Sequence, residues 1–289
     1  MANRPLAANT GPMANQSIVL VQPASGGHAA LQAQRGVLAA LRDSDAALIL
    51  FEAEAASPWL HAELRKFLEC HRPGGVILLP PLAAAPGIAE LCLEIGCPPV
   101  LLDPAGLDGP GHALCSNDRR AAADATNYLI ALGHRRIGLI AGPDGCRSSR
   151  ECELGFIDAL AAHDLDRGAE LVAASDGSPA SGEAAAQLLL EVSPHPTAIL
   201  AASDALGAGA LKAALSLGLE VPGTLSVIGF GDDPIAALLP VPLTSVRVPT
   251  SEMAFAAAIH LVGSTDSAPQ PVEFFGGLVP RMSSGPAAA

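Results

Sequence analysis

Charged side chains follow two apolar runs of this sequence, and they are the residues best suited to contact a ligand. The run Leu225–Phe230 leads into a polar loop, Gly231–Pro234, with two adjacent aspartates. The run Ile137–Ala141 is followed by Arg147 and Arg150. A guanidinium group can hold a carboxylate by two parallel hydrogen bonds. Neighbouring carboxylates in an extended loop point apart and make a poor acid–base pair. The pattern therefore favours ligand binding over catalysis.

Motifs of common enzymes and metal sites do not occur in the sequence. It has no Gly-x-Ser-x-Gly elbow and no Walker loop, and the turn Gly142–Gly145 lacks the Gly-x-Gly-x-x-Gly pattern of dinucleotide sites. The six cysteines are scattered, without a CxxC pair or a histidine at zinc-ligand spacing. We expect no enzyme activity, cofactor or metal, and we interpret the cysteines as reduced thiols of a cytoplasmic protein.

Composition limits the partners of this chain. The formal net charge is -13, so the surface repels DNA and anionic membranes. No apolar run reaches the ~18 residues that a membrane span needs, and the polar start of the chain is unlike a signal peptide. At 289 residues the chain is long enough for two α/β units of ~150 residues each. Because only 3% of the residues are aromatic, the cores of these units must consist mostly of Ala, Leu, Val and Ile.

Strands and helices alternate after residues 1–16, which we interpret as a disordered leader or linker. The strands predicted in the first part of the chain are Ile18–Val21, Ala47–Phe51, Gly75–Leu79 and Pro99–Leu102, and the helices are His28–Leu41, Pro58–Cys70 and Ile88–Ile95. This alternation predicts a parallel, doubly wound sheet.

A second set of elements begins near Ser116, where Asn117 and Asp118 can cap a helix that ends at Gly133. Further strands are predicted at Ile137–Ala141, Leu171–Ala173, Thr197–Ala201 and Leu225–Phe230, with a loop at Gly142–Ser149 and helices through Phe156 and Leu160, at Gly182–Val192 and at Ala205–Leu217. The final elements are strand Leu243–Val248, helix Ser251–Val262, and strands Val272–Phe275 and Leu278–Pro280.

The last helix indicates a return to the first unit, so we expect two lobes on a hinge. The predicted first lobe comprises residues 17–116 plus 247–275, and the second comprises 117–246 plus 276–289. A chain that leaves one lobe and returns to it can close on a ligand.

Four segments, in this order and spacing, resemble the lactose-repressor (LacI) type of transcriptional regulators: Asn117–Ile137, Gly155–Leu160, Pro196–Ala208 and Gly218–Val248. The resemblance implies a type I periplasmic-binding-protein-like fold, with two Rossmann-like lobes of parallel strands joined by a multi-strand hinge. It also implies a homodimer and a small, carbohydrate-derived effector in the cleft between lobes. Operator DNA would be bound only through an N-terminal helix-turn-helix. Because the first predicted strand begins at Ile18, that module has either been trimmed away, which we favour, or been lost from the regulator. By the same resemblance, residues 1–16 would retain the end of the hinge that precedes the first lobe.

The sequence departs from the family pattern at the expected pocket. Members commonly carry an effector-holding aspartate at the position of Gly231 and an arginine at the position of Cys152. Aromatic residues are common at the positions of Gly177, Ala29 and Ala30. A pocket without aromatic side chains loses the stacking contacts that sugars and bases use.

On these grounds the expected ligand-binding residues are Gln22, Ser25, Asn117, Asp118, Arg147, Ser148, Arg150, Asp204, Gly231 and Asp232. Each has a structural alternative, since the aspartates and the asparagine can cap helices or turns and the arginines can be solvated. Because Gly231 removes a carboxylate while two arginines lie nearby, we expect an anionic sugar derivative, such as a sugar acid or a sugar phosphate.

Two other functions remain open at this stage. A stand-alone solute-binding protein of the transport type would share the fold, whereas no motif in the sequence supports a hydrolase or a kinase.

The expected homodimer would bury apolar residues of the second and third helices, namely Trp59, Leu64, Phe67, Leu68 and the segment Ile88–Ile95. Transport binders are usually monomeric, so a dimer would favour the regulator.

Overall fold

A computed structural model describes residues 17–104, 106, 109–263 and 272–287. The leader predicted for residues 1–16 lies outside them. The first elements of the chain are β1 (Ser17–Pro23), α1 (Gly27–Ala40), β2 (Ala47–Ala53), α2 (Leu60–His71), β3 (Gly75–Leu78), α3 (Ile88–Ile95), β4 (Pro99–Leu102) and β5 (His112–Ser116). The middle elements are α4 (Asp118–Ala131), β6 (Ile137–Ile140), α5 (Arg147–Ala162), β7 (Val172–Ala173), α6 (Pro179–Glu191), β8 (Ala198–Ala201) and α7 (Asp204–Ser216). The last are β9 (Ser226–Gly231), α8 (Pro234–Leu238), β10 (Thr244–Arg247), α9 (Thr250–Val262), β11 (Val272–Phe274) and β12 (Gly277–Val279).

Two six-stranded sheets form the two lobes. The first has the order β11-β5-β4-β3-β1-β2, and all of its pairings are parallel. The second has the order β12-β10-β9-β8-β6-β7, and only β12 runs antiparallel to its neighbour. The predicted two-lobe α/β fold is confirmed.

Each sheet is covered on both faces, which explains its continuous apolar strands. Alternate residues of β1 enter different cores: Ile18 and Leu20 pack against α1 and α9, and Val19 and Val21 pack against α2 and α3. Leu139 and Ile140 of β6 are divided in the same way between the two cores of the second lobe. Fully burying each such side chain contributes roughly 1.5–3 kcal/mol relative to exposure.

Small residues let the helices pack closely in the absence of many aromatic side chains. A Cβ atom at Gly36 of α1 would overlap the backbone carbonyl of Ser251 in α9. A Cβ atom at Gly155 of α5 would likewise overlap the carbonyl of Arg119 in α4. These contacts hold α1 rigidly against α9, and α5 against α4.

The chain crosses between lobes at residues 116–118, 247–250 and 274–277. Asn117 connects two of the crossings, because its backbone N–H donates to the Phe274 carbonyl (2.8 Å) and its Nδ2 donates to Glu273 Oε2 (3.0 Å). Gly276 lies so close to the Arg247 carbonyl that a Cβ atom would not fit. Arg247 ends β10 and pairs within the second sheet, so the second crossing follows it.

Three elements differ from the prediction. Strand β5 was not predicted, because five residues after a glycine-rich stretch form a strand only when β4 and β11 pair with them. The polar loop after β9 contains a short helix, α8, capped by the Asp233 side chain. The loop predicted at Gly142–Ser149 ends early, because α5 begins at Arg147.

Within the described residues, none of the helices is both long and apolar enough to span a membrane.

Candidate functional site

A cavity of about 770 Å³ lies between the lobes. The carboxyl ends of β1, β3, β4, β8 and β9 face it, as do the first turns of α1, α5, α7 and α9. Parallel α/β sheets place ligand sites at this edge, because the loops and helix starts there carry polar groups that are free of the sheet. The volume falls within the ~300–1,000 Å³ typical of small-molecule sites.

One side of the cavity, which we call the second-lobe wall, consists of Ser203, Asp204, Gly231, Asp232 and Asp233. Its carboxylates are engaged within the protein. Asp204 accepts hydrogen bonds from Ser245 Oγ (2.5 Å) and from the backbone N–H of Asp233 (2.6 Å).

Other polar side chains of this wall also form hydrogen bonds within the protein. Asp232 accepts hydrogen bonds from Arg247 Nε (2.9 Å) and from Arg281. The side chains of Asp233 and Ser203 accept backbone N–H bonds at the starts of α8 and α7. The second-lobe wall therefore holds its own loop in place.

Asp204 carries an electrostatic cost at this position. Burial raises the pKa of its carboxyl group, and the nearby charges of Asp232 and Asp233 raise it further. The hydrogen bonds from Ser245 and the Asp233 N–H lower the pKa and oppose that effect. The site thus tolerates a buried carboxylate only because two donors are fixed against it.

An ion pair joins the two lobes on the hinge side of the cavity. Arg147 Nη1 at the start of α5 lies 3.1 Å from Asp103 Oδ1, which follows β4, and the two side chains are 16% and 12% exposed. Ser116 donates to the same carboxylate through its N–H (2.8 Å) and its hydroxyl group (2.9 Å to Oδ2). Burial and the nearby Asp118 raise the pKa of Asp103 to about 6, and Ser116 and Arg147 oppose the shift.

Asp118 lies behind this pair, at the first position of α4, and is 2% exposed. Burial raises the pKa of its carboxyl group, while hydrogen bonding by Ser148 and Ser116 lowers it. Its Oδ2 is buried without a hydrogen-bond partner among the described residues. Asp118 therefore lies buried beside the hinge and does not line the cavity.

The opposite side of the cavity, which we call the first-lobe wall, consists of His28, Gln32, Arg35 and Glu252. The first three lie on one face of α1, at positions i, i+4 and i+7, and Glu252 is in the first turn of α9. Gln32 Nε2 lies 2.9 Å from His28 Nε2. Arg35 and Glu252 are exposed to the cavity.

Half of the predicted binding residues line the cavity: Arg147, Ser148, Asp204, Gly231 and Asp232. The other five, Gln22, Ser25, Asn117, Asp118 and Arg150, are not among its lining residues. Gln22 is buried beneath the first loop, where its side chain bonds to Glu52 and Gln34. Ser25 is exposed, and Asn117 joins the crossings and caps α4.

The predicted anion clamp is not formed by the two arginines. Arg150 is exposed in the first turn of α5, on the same side of the helix as Arg147, but it is not among the residues that line the cavity. Arg147 reaches the cavity but is paired with Asp103. Both arginines were expected on the loop that follows the strand Ile137–Ala141, but α5 begins at Arg147 and both belong to its first turn.

Asp103 and the first-lobe wall were missed by the sequence argument. Asp103 directly follows a predicted strand, and the rule that located Asp232 at a strand end would also have found it. The helical spacing of His28, Gln32 and Arg35 was visible too, but no local signal says which polar face of α1 meets the cleft. Within the described residues, no group of three or more His, Cys, Asp or Glu side chains is placed to hold a metal ion.

Comparison with known proteins agrees with this architecture. A family profile, the periplasmic binding protein-like domain, matches residues 126–284. An uncharacterized HTH-type transcriptional regulator in the aml 5' region of Streptomyces limosus is 38% identical over 202 residues, which is 68% of this chain and 57% of that protein. The chain thus spans little more than half the length of this curated relative.

Solved structures match over nearly all of the chain. The transcriptional regulator CelR in complex with cellobiose is 28% identical, with a TM-score of 0.83 over 93% of this chain and 84% of that one. A LacI family transcriptional regulator from Mycobacterium smegmatis is 25% identical, with a TM-score of 0.81 over 93% and 99% of the two chains.

The chain belongs to the LacI type of the periplasmic binding protein-like family. The family resemblance predicted from the four sequence segments is therefore confirmed.

At the position of Gly231, where LacI-type members commonly carry an aspartate, the backbone of this chain disfavours any side chain. Gly231 has a φ of 129°, and a Cβ atom there would lie 3.4 Å from Asp204 Oδ2. An aspartate at that position would be strained and would face another carboxylate.

Proposed function

We propose that this chain is the effector-binding module of a LacI-type transcriptional regulator, and that it binds a small carbohydrate in the cleft between its lobes. The observation that carries the proposal is the 770 Å³ cavity beside a three-crossing hinge. A ligand that contacts both lobes stabilises one closure angle over others. The similar CelR was solved with cellobiose, which supports a carbohydrate ligand.

Charge favours a neutral carbohydrate over the anionic one expected from the sequence. Arg147 and Arg247, two of the cationic side chains at the cavity, are paired with Asp103 and Asp232. An anion would have to compete with those carboxylates. At an effective dielectric constant near 20, two like unit charges ~4 Å apart repel by about 4 kcal/mol.

A thermal-shift screen with mono-, di- and trisaccharides, sugar acids and sugar phosphates tests the proposal. A carbohydrate at 100 times its Kd should stabilise the protein by ~2.7 kcal/mol. The variant Ala84→Trp places a bulky side chain in the cavity from an exposed position after β3 and should abolish the shift. The control, Ala39→Trp, changes an exposed alanine of α1 outside the cavity lining and should retain it. A shift that survives Ala84→Trp would place the ligand elsewhere.

We further propose that the module acts as a homodimer and that closure changes how two DNA-reading heads are spaced. Trp59 (67% exposed), which immediately precedes α2, and Leu93 (46% exposed) of α3 support an apolar contact at these two helices. Leu64 and Leu68 of α2 are buried in their own lobe, so the predicted contact surface is smaller than expected. Sedimentation of the wild type and of Trp59→Ser tests this, and a strict monomer at high concentration would instead favour a transport-type binder.

Control of DNA binding is tested by fusing a helix-turn-helix reader to the chain. The chain alone, with a net charge of -13, should bind operator DNA weakly and without sequence preference. The fusion should bind it with an affinity that changes when the carbohydrate from the screen is added. Equal operator affinity with and without that ligand would contradict the regulatory function.

A further inference from the structure

The cavity is large for one sugar unit. Its 770 Å³ would hold roughly 25 water molecules at ~30 Å³ each. The number of non-hydrogen atoms in a single hexose is only about half the number of those water molecules. A monosaccharide would therefore leave much of the cavity solvated, and a second unit fits beside it.

The second-lobe wall has few polar side-chain groups left for a ligand. Asp204 and Asp232 each use both carboxylate oxygens on protein donors. Ser203 accepts from the Leu206 N–H, and the guanidinium of Arg247 is bound to Asp232. Competing with such fixed donors would cost the ligand part of its binding free energy.

The first-lobe wall, in contrast, has charged side chains that are available to a ligand. Arg35 forms no ion pair within the part of the chain that the structure describes, unlike Arg147 and Arg247. Glu252 supplies carboxylate oxygens from the neighbouring helix. Because Gly36 packs on the Ser251 carbonyl, the helices that carry Arg35 and Glu252 are held at a fixed separation.

We propose that the first-lobe wall, formed by His28, Gln32, Arg35 and Glu252, is the specificity surface for the second unit of a neutral disaccharide or longer saccharide. This inference rests on the carbohydrate-binding function proposed above. The forked guanidinium donates to neighbouring hydroxyl groups, Glu252 accepts from them, and the Gln32 amide can do either. Because Arg35 and Glu252 have opposite charges, the wall suits a neutral partner better than an anion.

Isothermal titration with glucose, cellobiose, maltose, gluconate and glucose 6-phosphate tests this inference. The variants are Arg35→Gln and Glu252→Gln, and the matched control is Arg150→Gln, an exposed arginine outside the cavity lining. One of the disaccharides should bind at least about tenfold more tightly than glucose. Arg35→Gln should weaken that disaccharide about tenfold and glucose less than twofold, because it removes a charged hydrogen bond to the second unit only. Arg150→Gln should change neither affinity.

The possible results separate this inference from the function on which it rests. If glucose binds as tightly as both disaccharides, or if Arg35→Gln weakens both classes equally, the specificity surface is wrong and carbohydrate binding stands. If gluconate or glucose 6-phosphate binds best and depends on Arg35, the wall recognises an anion, which also overturns the inference. If none of these saccharides binds and the thermal-shift screen finds no other carbohydrate, the proposed function itself fails.

Discussion

Both walls of the cleft carry polar and charged side chains but use them differently. On the second-lobe wall, each carboxylate oxygen of Asp204 and Asp232 accepts a hydrogen bond from the same lobe. On the first-lobe wall, Arg35 and Glu252 project from helix surfaces and are exposed. Residue type and proximity to a cavity therefore do not by themselves identify a ligand contact. Whether the polar atoms are still available decides it, and substitutions should separate a wall that contributes stability from a wall that contributes binding.

The largest effect is expected from the ion pair between the lobes. Arg147→Met removes the ion-pair partner of the Asp103 carboxylate, which is nearly buried. The substitution should lower the free energy of unfolding by about 3 kcal/mol at pH 8. Small-angle scattering should also detect a larger radius of gyration, because the pair joins the two lobes. Arg147→Lys, which keeps the charge, should lose less, and an equal loss would show that charge pairing is unimportant.

The same variant carries a pH signature. The pKa of Asp103 is about 6 in the folded protein, above its ordinary value of 3.8, so the folded state binds a proton more readily than the unfolded state. Arg147 lowers that pKa, so its removal should raise the pKa of Asp103 in the folded variant above 6. Protonation neutralises the unpaired carboxylate, so the stability deficit of Arg147→Met should be greatest at pH 8 and should shrink as the pH falls toward about 6. Urea unfolding of both proteins from pH 5 to 8 measures this, and a constant deficit would contradict it.

A somewhat smaller loss is expected at the second-lobe wall. Asp204→Ala leaves Ser245 Oγ and the Asp233 N–H without their acceptor and should cost about 2 kcal/mol of stability. Asp204→Asn keeps one acceptor oxygen and should cost less. Thermal unfolding compares the two. If Asp204→Ala instead left stability unchanged and abolished carbohydrate binding, the contrast between the walls would be wrong.

The next largest loss of stability is expected from a substitution at Gly231. Gly231→Ala forces a side chain into a backbone conformation with a φ of 129° and should cost roughly 1–2 kcal/mol. The control is Gly277→Ala, since Gly277 also pairs with Arg247 but has open space around its Cβ position. Urea unfolding should therefore find Gly277→Ala close to the wild type, and equal losses would argue against backbone strain at Gly231.

The smallest effect on stability is expected at the first-lobe wall. Arg35→Gln and Gln32→Ala should each change the free energy of unfolding by no more than ~0.5 kcal/mol, because these side chains are not part of a buried network. Thermal unfolding without ligand checks this. A loss as large as that of Asp204→Ala would mean that the first-lobe wall is also structural, and the comparison would fail.

Local sequence patterns were enough to predict most strands and helices. Apolar runs such as Ile18–Val21 and Leu225–Phe230 became buried strands, because their residues face cores on both sides of a parallel sheet. Strand β5 was missed, because its formation depends on pairing with β4 and with the distant β11. The short helix α8 was missed for a different reason, because five residues are too few to show a helical periodicity.

By itself the sequence determined the α/β class, the family and the strand ends at which a ligand site forms, because each depends on residues that are neighbours along the chain. Only the tertiary structure decided which polar groups remain free there. Arg147 is paired with Asp103, 44 positions away in the chain, and Asp204 is bonded to Ser245, 41 positions away. The first-lobe wall became visible only once α1 and α9 were packed together. Hydrogen bonds and ion pairs depend on distances between atoms, and folding brings together atoms that the linear order keeps apart.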